Sequence, residues 1–369
     1  MTIEITSVEL REVALPLLRP FRTSFGEDTE KRAVLVRVDA GDVVGWGECA
    51  AGDEPRYSEE WLNGAREILR DFLVPSVLAG GAIDSPERVA ERTAWVRGHR
   101  MAKMALEMAV LDAWLRVENR SLAEHVGAVR DRIPCGVSVG IAPTADRMLD
   151  EIRGYLEQGY RRVKLKIEPG RDVEVVRAIR EALPETPLSV DANSAYRLSD
   201  APLFEALDAL DLVMIEQPLG HDDLLDHAKL QSRIRTPICL DESIRHAQDA
   251  AAAIALGACR VINIKPGRVG GLIEAKRVHD VAMEHGIPVW IGGMLETGIG
   301  RGANLAMAAM PGVTMPGDTS ASDRYFAEDL TEPFVLAADG TLAVPAGPGI
   351  GAAPLPDRLA ACTVGVEKL

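Results

Sequence analysis

RVKLKI (162–167), PLSVDA (187–192), LVMIEQ (212–217), PICLDE (237–242), RVINIK (260–265) and PVWIGG (288–293) are short apolar runs separated by stretches of helical spacing. CGVSVG (135–140) opens the same series. Strand–helix alternation is the sign of a parallel sheet, because a parallel neighbour is reached only through a crossover. Seven or more such units in one chain fit a closed barrel better than an open sheet.

Five successive strands end in a charge: Lys166, Asp191, Glu216, Asp241 and Lys265, spaced by 25, 25, 25 and 24 residues. A parallel strand is buried on both faces and carries no charge without a reason. Charges in phase at C-terminal strand ends mark one mouth of a barrel, where sites of this architecture lie. Asp191, Glu216 and Asp241 fall on three adjacent strands, and three converging carboxylates repel one another. A hard divalent cation resolves that repulsion, and oxygen-only ligands select Mg²⁺ or Mn²⁺ over zinc.

Lys164 and Lys166 are two apart on one strand, so both point into the barrel. Lys265 lies three strands beyond that of Asp191, across the mouth. A substrate held between Lys166 and Lys265 meets one amine on each face. A lysine acts as a base only with a lowered pKa. Lys164, the metal ion and, beside Lys265, Arg268 are expected to push neighbouring lysines toward the neutral amine by like-charge repulsion. Lys164 also reads as a simple counter-ion for the acids.

Outward from this series, the first 130 residues read as α+β. Thr2–Leu15 alternates as a strand, and Ala33–Asp39 and Val43–Glu48 flank a Gly-containing hairpin turn. PFRTSFGEDTEK (20–31) reads as a polar loop between them. Ser58–Phe72 and Pro86–Val96 have helical spacing, and Met101–Val117 is the clearest helix. Its small and apolar residues surround Glu107 and Asp112, the pattern of a tightly packed helix between two domains. The last 50 residues are Pro- and Gly-rich and read as irregular structure with short strands running back over the surface.

The chain has 369 residues, 47% of them hydrophobic and 26% charged, and a formal net charge of −15. That sign argues against nucleic acid or an anionic membrane as partner. The five cysteines, Cys49, Cys135, Cys239, Cys259 and Cys362, are scattered without a CxxC pair, so neither a disulfide framework nor a zinc cluster is expected. No apolar leader and no window of membrane-spanning length is seen, and a reducing cytoplasm is the expected compartment.

KLK (164–166), VDAN (190–193), IEQP (215–218), LDES (240–243) and NIKPGRVGG (263–271) together resemble the enolase superfamily in its muconate lactonizing subgroup. PFRTSFG (20–26), GHRMAKMALEMAVLDA (98–113), PCGVSVGI (134–141), VKLKIEPG (163–170), CLDESI (239–244), GGMLETGIGR (292–301) and PGDTSASDR (316–324) are similar to the o-succinylbenzoate synthase / N-succinylamino acid racemase family. The resemblance covers nearly the whole chain. It implies an α/β fold, a modified (β/α)₇β TIM barrel with an N-terminal α+β capping domain. Residues 1–130 would be the cap, 131–320 the barrel, and 321–369 a segment returning to the cap. It also implies one Mg²⁺ on Asp191, Glu216 and Asp241, with Lys166 and Lys265 as the acid/base pair. Asn193 and Glu242 would orient ligands or substrate, or simply hydrogen-bond at strand ends. Homo-oligomers are implied as well.

Removing a proton next to a carboxylate leaves a dianionic enolate, which Mg²⁺ and the lysines would neutralise. Loss of a β-hydroxyl then gives o-succinylbenzoate from a cyclohexadiene hydroxy acid. Return of the proton on the opposite face gives the mirror-image N-acylamino acid. Both substrates are small carboxylates with a succinyl arm. Gly292, Gly293, Met294 and Leu295 precede a helix start whose N–H groups could hold the arm's carboxylate. Phe21, Ser24, Phe25 and Tyr57 would close over the apolar part, and Ser138 would face the pocket.

Two motifs match other chemistries formally. Gly136–Gly140 fits GxSxG, but it is itself the alternating strand rather than a strand–turn–helix elbow. Gly298–Ala303 fits GxGxxA but comes late in the chain, without a following βαβ unit. None of the seven histidines sits at a strand end, which disfavours mandelate-racemase-like chemistry. A metal-stabilised scaffold would explain the acids but not the opposed lysines. A dipeptide epimerase or cycloisomerase would keep all five strand-end residues. No aspartate-rich loop for a dipeptide amino group is evident around PGDTSASD.

Overall fold

The computed structural model describes residues 2–369. Strands β1 (Ser7–Thr23), β2 (Gly26–Ala40) and β3 (Val43–Cys49) form an antiparallel meander. The stretch 20–31, read above as a loop, is mostly strand: β1 and β2 run on as one long hairpin that turns at Ser24–Phe25. Cross-strand pairing overrides the polar composition there. A register shift between Pro16 and Phe21 absorbs the prolines of the first strand.

The helix Arg100–Val117 packs across this sheet, with fourteen of its residues buried. It is apolar on nearly every side because it is covered on one side by the sheet and on the other by the barrel. Its alanines allow β3 to come very close. A Cβ on Gly47 would sit 1.9 Å from the Ala105 carbonyl oxygen, and one on Gly45 2.0 Å from that of Ala109.

A two-stranded ribbon follows, made by β4 (Arg132–Pro134) with a later strand near residue 342. Then come the parallel strands β5 (Gly136–Val139), β6 (Arg162–Lys166), β7 (Leu188–Asp191), β8 (Ile215–Glu216), β9 (Ile238–Leu240), β10 (Val261–Ile264) and β11 (Val289–Ile291). They neighbour one another in sequence order, and helices connect them. Every residue of these strands is buried. The segment 313–318 fills the eighth place through single parallel bridges, Val289 with Val313 and Cys135 with Gly317. Gly317 is required there, since a Cβ would lie 2.4 Å from the Ile291 carbonyl oxygen.

The C-terminal stretch is more ordered than its composition suggests. After β12 (Thr341–Ala343) it forms the helix Pro356–Cys362 and β13 (Thr363–Lys368). β13 pairs antiparallel with β1 and completes a four-stranded sheet. No helix among the described residues is long and apolar enough to cross a membrane.

Candidate active site

Strand register places the chemistry. Lys166 pairs with Asp191, and Asp191 with Glu216, across β6, β7 and β8, so three charged residues stand side by side at one end of the sheet. Asp241 and Lys265 directly follow β9 and β10. Asp191, Glu216 and Asp241 are fully buried.

Buried carboxylates demand partners. Lys166 Nζ donates to Asp191 Oδ2 at 2.6 Å and to Asn193 Oδ1 at 2.7 Å. Lys164 Nζ lies among three carboxylates, 3.2 Å from Asp191 Oδ2, 2.8 Å from Glu216 Oε2 and 2.5 Å from Asp318 Oδ2. Across the mouth, Lys265 Nζ donates to Asp241 Oδ2 at 2.7 Å, and the Tyr57 hydroxyl donates to Asp241 Oδ1 at 2.9 Å. Arg268 bonds the same Oδ1 and donates to the carbonyls of Ile244 at 2.7 Å and Asn263 at 2.5 Å. Asn193 Nδ2 donates to Glu242 Oε1 at 3.1 Å.

The two lysines differ electrostatically. Burial, aided by the charge of Lys164, holds Lys166 below the usual lysine range against the pull of Asp191. For Lys265 burial acts in the same direction, but Tyr57, Glu216, Glu242 and Asp191 outweigh it, and its pKa rises. The expectation that Arg268 would drive Lys265 toward the neutral amine is thus corrected, because the guanidinium is spent on Asp241 and two carbonyls. Lys164 rises too, since Asp318, Glu216 and Asp191 outweigh its burial. Glu242 is pushed up to about 7 by burial and by Asp191.

The donor set suits a hard divalent cation: three fully buried carboxylates on adjacent strands. The Lys164 ammonium, bridging Asp191 and Glu216, stands in for positive charge at that place. As the side chains stand, each carboxylate is turned to an ammonium or guanidinium. Among the described residues no three His, Cys, Asp or Glu side chains surround a common point.

A cavity of about 390 Å³ opens over this network toward the cap. Phe21, Phe25, Tyr57, Ser138, Gly293, Met294 and Leu295 line it, together with Lys164, Lys166, Asn193 and Lys265. Ser138 Oγ is buried without a partner. Ser24 and Gly292 do not line the cavity. Ser24 Oγ donates to the Ala192 carbonyl at 3.3 Å, fastening the hairpin tip to the barrel. Gly292 lies beneath, where a Cβ would meet Asn263 Oδ1 at 2.3 Å. Tyr57 was expected only as an apolar cover, yet its hydroxyl belongs to the charge network.

The helix start is also corrected. The first-turn N–H groups of the helix Gly298–Ala308 are already taken. Glu48 accepts from Thr297 N at 3.0 Å and Gly300 N at 2.8 Å, and Asp329 accepts from Gly298 N at 2.8 Å. A substrate carboxylate finds no free donor there.

Sequence reasoning assigned no role to Asp318, Arg162 or Asn263. Arg162 shares the face of Lys164 by the two-residue period of β6, and donates to Asp318 Oδ1 at 2.6 Å. Asn263 precedes Lys265 by two residues and donates to Glu216 Oε1 at 2.7 Å. That same period was the available signal for both. Asp318 gave a weaker one, as a charge in a Pro/Gly-rich segment where no strand was read.

Residues 5–127 match the family Mandelate racemase / muconate lactonizing enzyme, N-terminal domain, and residues 147–358 match Enolase C-terminal domain-like. The chain is 56% identical over 357 residues to an N-succinylamino acid racemase of Amycolatopsis sp, covering 96% of each chain. It is 49% identical over 352 residues to an o-succinylbenzoate synthase of Geobacillus kaustophilus, covering 95% of this chain and 94% of that one. The crystal structure of an enolase superfamily member from Listeria innocua superposes with a TM-score of 0.95 at 42% identity, covering 100% of this chain and 99% of the other. With a curled parallel sheet, an antiparallel sheet domain above it and these matches, the chain belongs to the enolase superfamily, in the mandelate racemase / muconate lactonizing enzyme family.

Proposed function

We propose that this chain removes a proton α to a carboxylate and acts as an o-succinylbenzoate synthase, an N-succinylamino acid racemase, or both. The observation that carries this is the placement of Lys166 and Lys265. They lie on strands across one mouth, each against a different buried carboxylate, and both line one cavity. The relatives named above are a racemase and a synthase, so the reading agrees with both activities.

Mg²⁺ would be held by Asp191, Glu216 and Asp241 and would supply positive charge beside the substrate carboxylate, where charge develops as the proton leaves. Lys166, kept toward the neutral amine by burial and Lys164, takes the α-proton on its Nζ. Lys265, kept charged by its anionic surroundings, presents an ammonium to the opposite face. For racemisation Lys265 delivers its proton there, and the mirror-image substrate runs the exchange in reverse. For dehydration Lys166 carries the abstracted proton to the departing β-hydroxyl, which leaves as water. The cap hairpin with Phe21 and Phe25 closes over the cavity and excludes solvent.

Proton NMR in D₂O with Mg²⁺ tests the reading. The protein would be given each enantiomer of N-succinylphenylglycine and, separately, the cyclohexadiene precursor of o-succinylbenzoate. Loss of the α-proton signal from both enantiomers, or conversion of the precursor, is the expected result, and EDTA should stop it. No reaction in any of these tubes refutes the proposal.

A further inference from the structure

We infer that Lys31, on the cap strand β2, is the receptor for the second carboxylate of a dicarboxylate substrate, the distal end of a succinyl arm. This rests on the proposed function above.

The cavity is lined by six basic side chains: Lys31, Arg32, Arg56, Lys164, Lys166 and Lys265. Five are already neutralised. Lys164, Lys166 and Lys265 hold the mouth carboxylates. Arg32 bonds Glu12 and lies 3.3 Å from Asp53, and Arg56 lies 2.5 Å from Glu54. Lys31 differs. It is 6% exposed, and its ammonium donates to the Ala50 carbonyl at 2.9 Å. Among the described residues no carboxylate oxygen lies within 4.0 Å of it, whereas the other five each have one.

Asp28 and Glu48 act on Lys31 only from beyond contact distance, so a buried ammonium with one neutral acceptor keeps two unused donors, an arrangement that a contacting anionic ligand would complete. A dicarboxylate bound with one end at the cation that Asp191, Glu216 and Asp241 would hold leaves its other end to be satisfied elsewhere in the same cavity. The helix start at Gly298 is closed to it, because Glu48 and Asp329 hold those N–H groups. Lys31 remains as the basic residue of the lining that no carboxylate contacts. The physical role is discrimination: a site built around a buried charge rejects an analogue lacking the matching charge far more strongly than an apolar pocket could.

The test compares N-succinylphenylglycine with N-acetylphenylglycine, which lacks the distal carboxylate. Binding to the Mg²⁺-loaded protein is read by calorimetry, and α-proton exchange by NMR. Lys31→Gln keeps a donor for Ala50 without the charge, and Lys31→Arg keeps the charge. Lys31→Gln should weaken binding of the succinyl compound about 10- to 100-fold, seen in KM rather than kcat, and leave the acetyl compound nearly unchanged. Lys31→Arg should retain most of the preference. Equal losses on both compounds would assign Lys31 to holding Ala50 and overturn the inference. If Lys31→Gln fails to fold, the unaltered protein and Lys31→Arg still decide: no preference for the succinyl compound in either refutes it. Preferential binding without exchange would refute the proposed activity and leave the carboxylate site standing.

Discussion

Lys166 Nζ shares Asp191 with Lys164, whereas Lys265 shares Asp241 with Tyr57 and Arg268. Burial and Lys164 favour the amine at Lys166, whereas Tyr57, Glu216, Glu242 and Asp191 favour the ammonium at Lys265, so the two side chains are unequal before substrate arrives. Lys166→Ala should therefore lower α-proton exchange from the enantiomer it faces by about 10²–10⁴-fold, and Lys265→Ala should do the same for the other, as read by NMR in D₂O. Full racemisation by either variant would dismiss the two-base scheme. Asp318 poses a different question at this scale. It ties Arg162 at 2.6 Å to Lys164 at 2.5 Å, with the Trp290 ring 4.8 and 4.9 Å from the two cations. Asp318→Asn leaves two buried cations short of an anion, and should cost about 3–5 kcal/mol in urea unfolding. A loss under about 1 kcal/mol would mean that Asp191 and Glu216 suffice for Lys164.

Two elements of the cap reach into the barrel with buried carboxylates. From β3, Glu48 caps the helix Gly298–Ala308. From the helix Arg100–Val117, Glu107 accepts from Ile273 N at 3.1 Å in the first turn of the helix Leu272–Glu284. Burial pushes each of these carboxyls up to about 7, outweighing the charge of Lys31 at Glu48 and the N–H groups that both accept from. A carboxyl raised in the folded state adds stability that is full below its unfolded pKa and is lost as the pH rises through about 7. Each contributes on the order of 3 kcal/mol to that fall. The denaturant midpoint should thus drop between about pH 5 and pH 8, and Glu107→Gln or Glu48→Gln should flatten the drop. An unchanged pH slope in both variants would refute this account. The contact of β3 with the same helix is purely steric. Gly47→Ala should destabilise by about 1–3 kcal/mol, because the strand must move away from Ala105.

At the scale of the whole molecule, three carboxylates of the barrel are compensated by side chains from different units: β6, the segment after β10, and Tyr57 of the cap. A divalent cation that replaces part of this compensation binds only the folded chain. Mg²⁺ at about 100 times its Kd should therefore raise unfolding stability by about 2.7 kcal/mol, and EDTA should remove the gain. Asp191→Asn should abolish the effect. A midpoint independent of Mg²⁺ would count against the metal role of the trio.

The sequence by itself determined the seven parallel strands and the charges at their ends. Both follow from local rules: apolar runs set strands, and a period of one strand–helix unit keeps Lys166, Asp191, Glu216, Asp241 and Lys265 in phase. It also carried the packing of the helix Arg100–Val117, whose alanines are legible without a structure. Only the tertiary structure decided the rest, because those features depend on contacts between distant segments. The hairpin through residues 20–31 is held by pairing rather than composition. Segment 313–318, too irregular to read as a strand, closes the barrel and delivers Asp318 to Lys164. Glu48 occupies a helix start that looked free for substrate. The direction in which Lys265 titrates was set by Tyr57, Glu216, Glu242 and Asp191, gathered round it from the cap and three other strand ends, and a linear sequence holds no such distances.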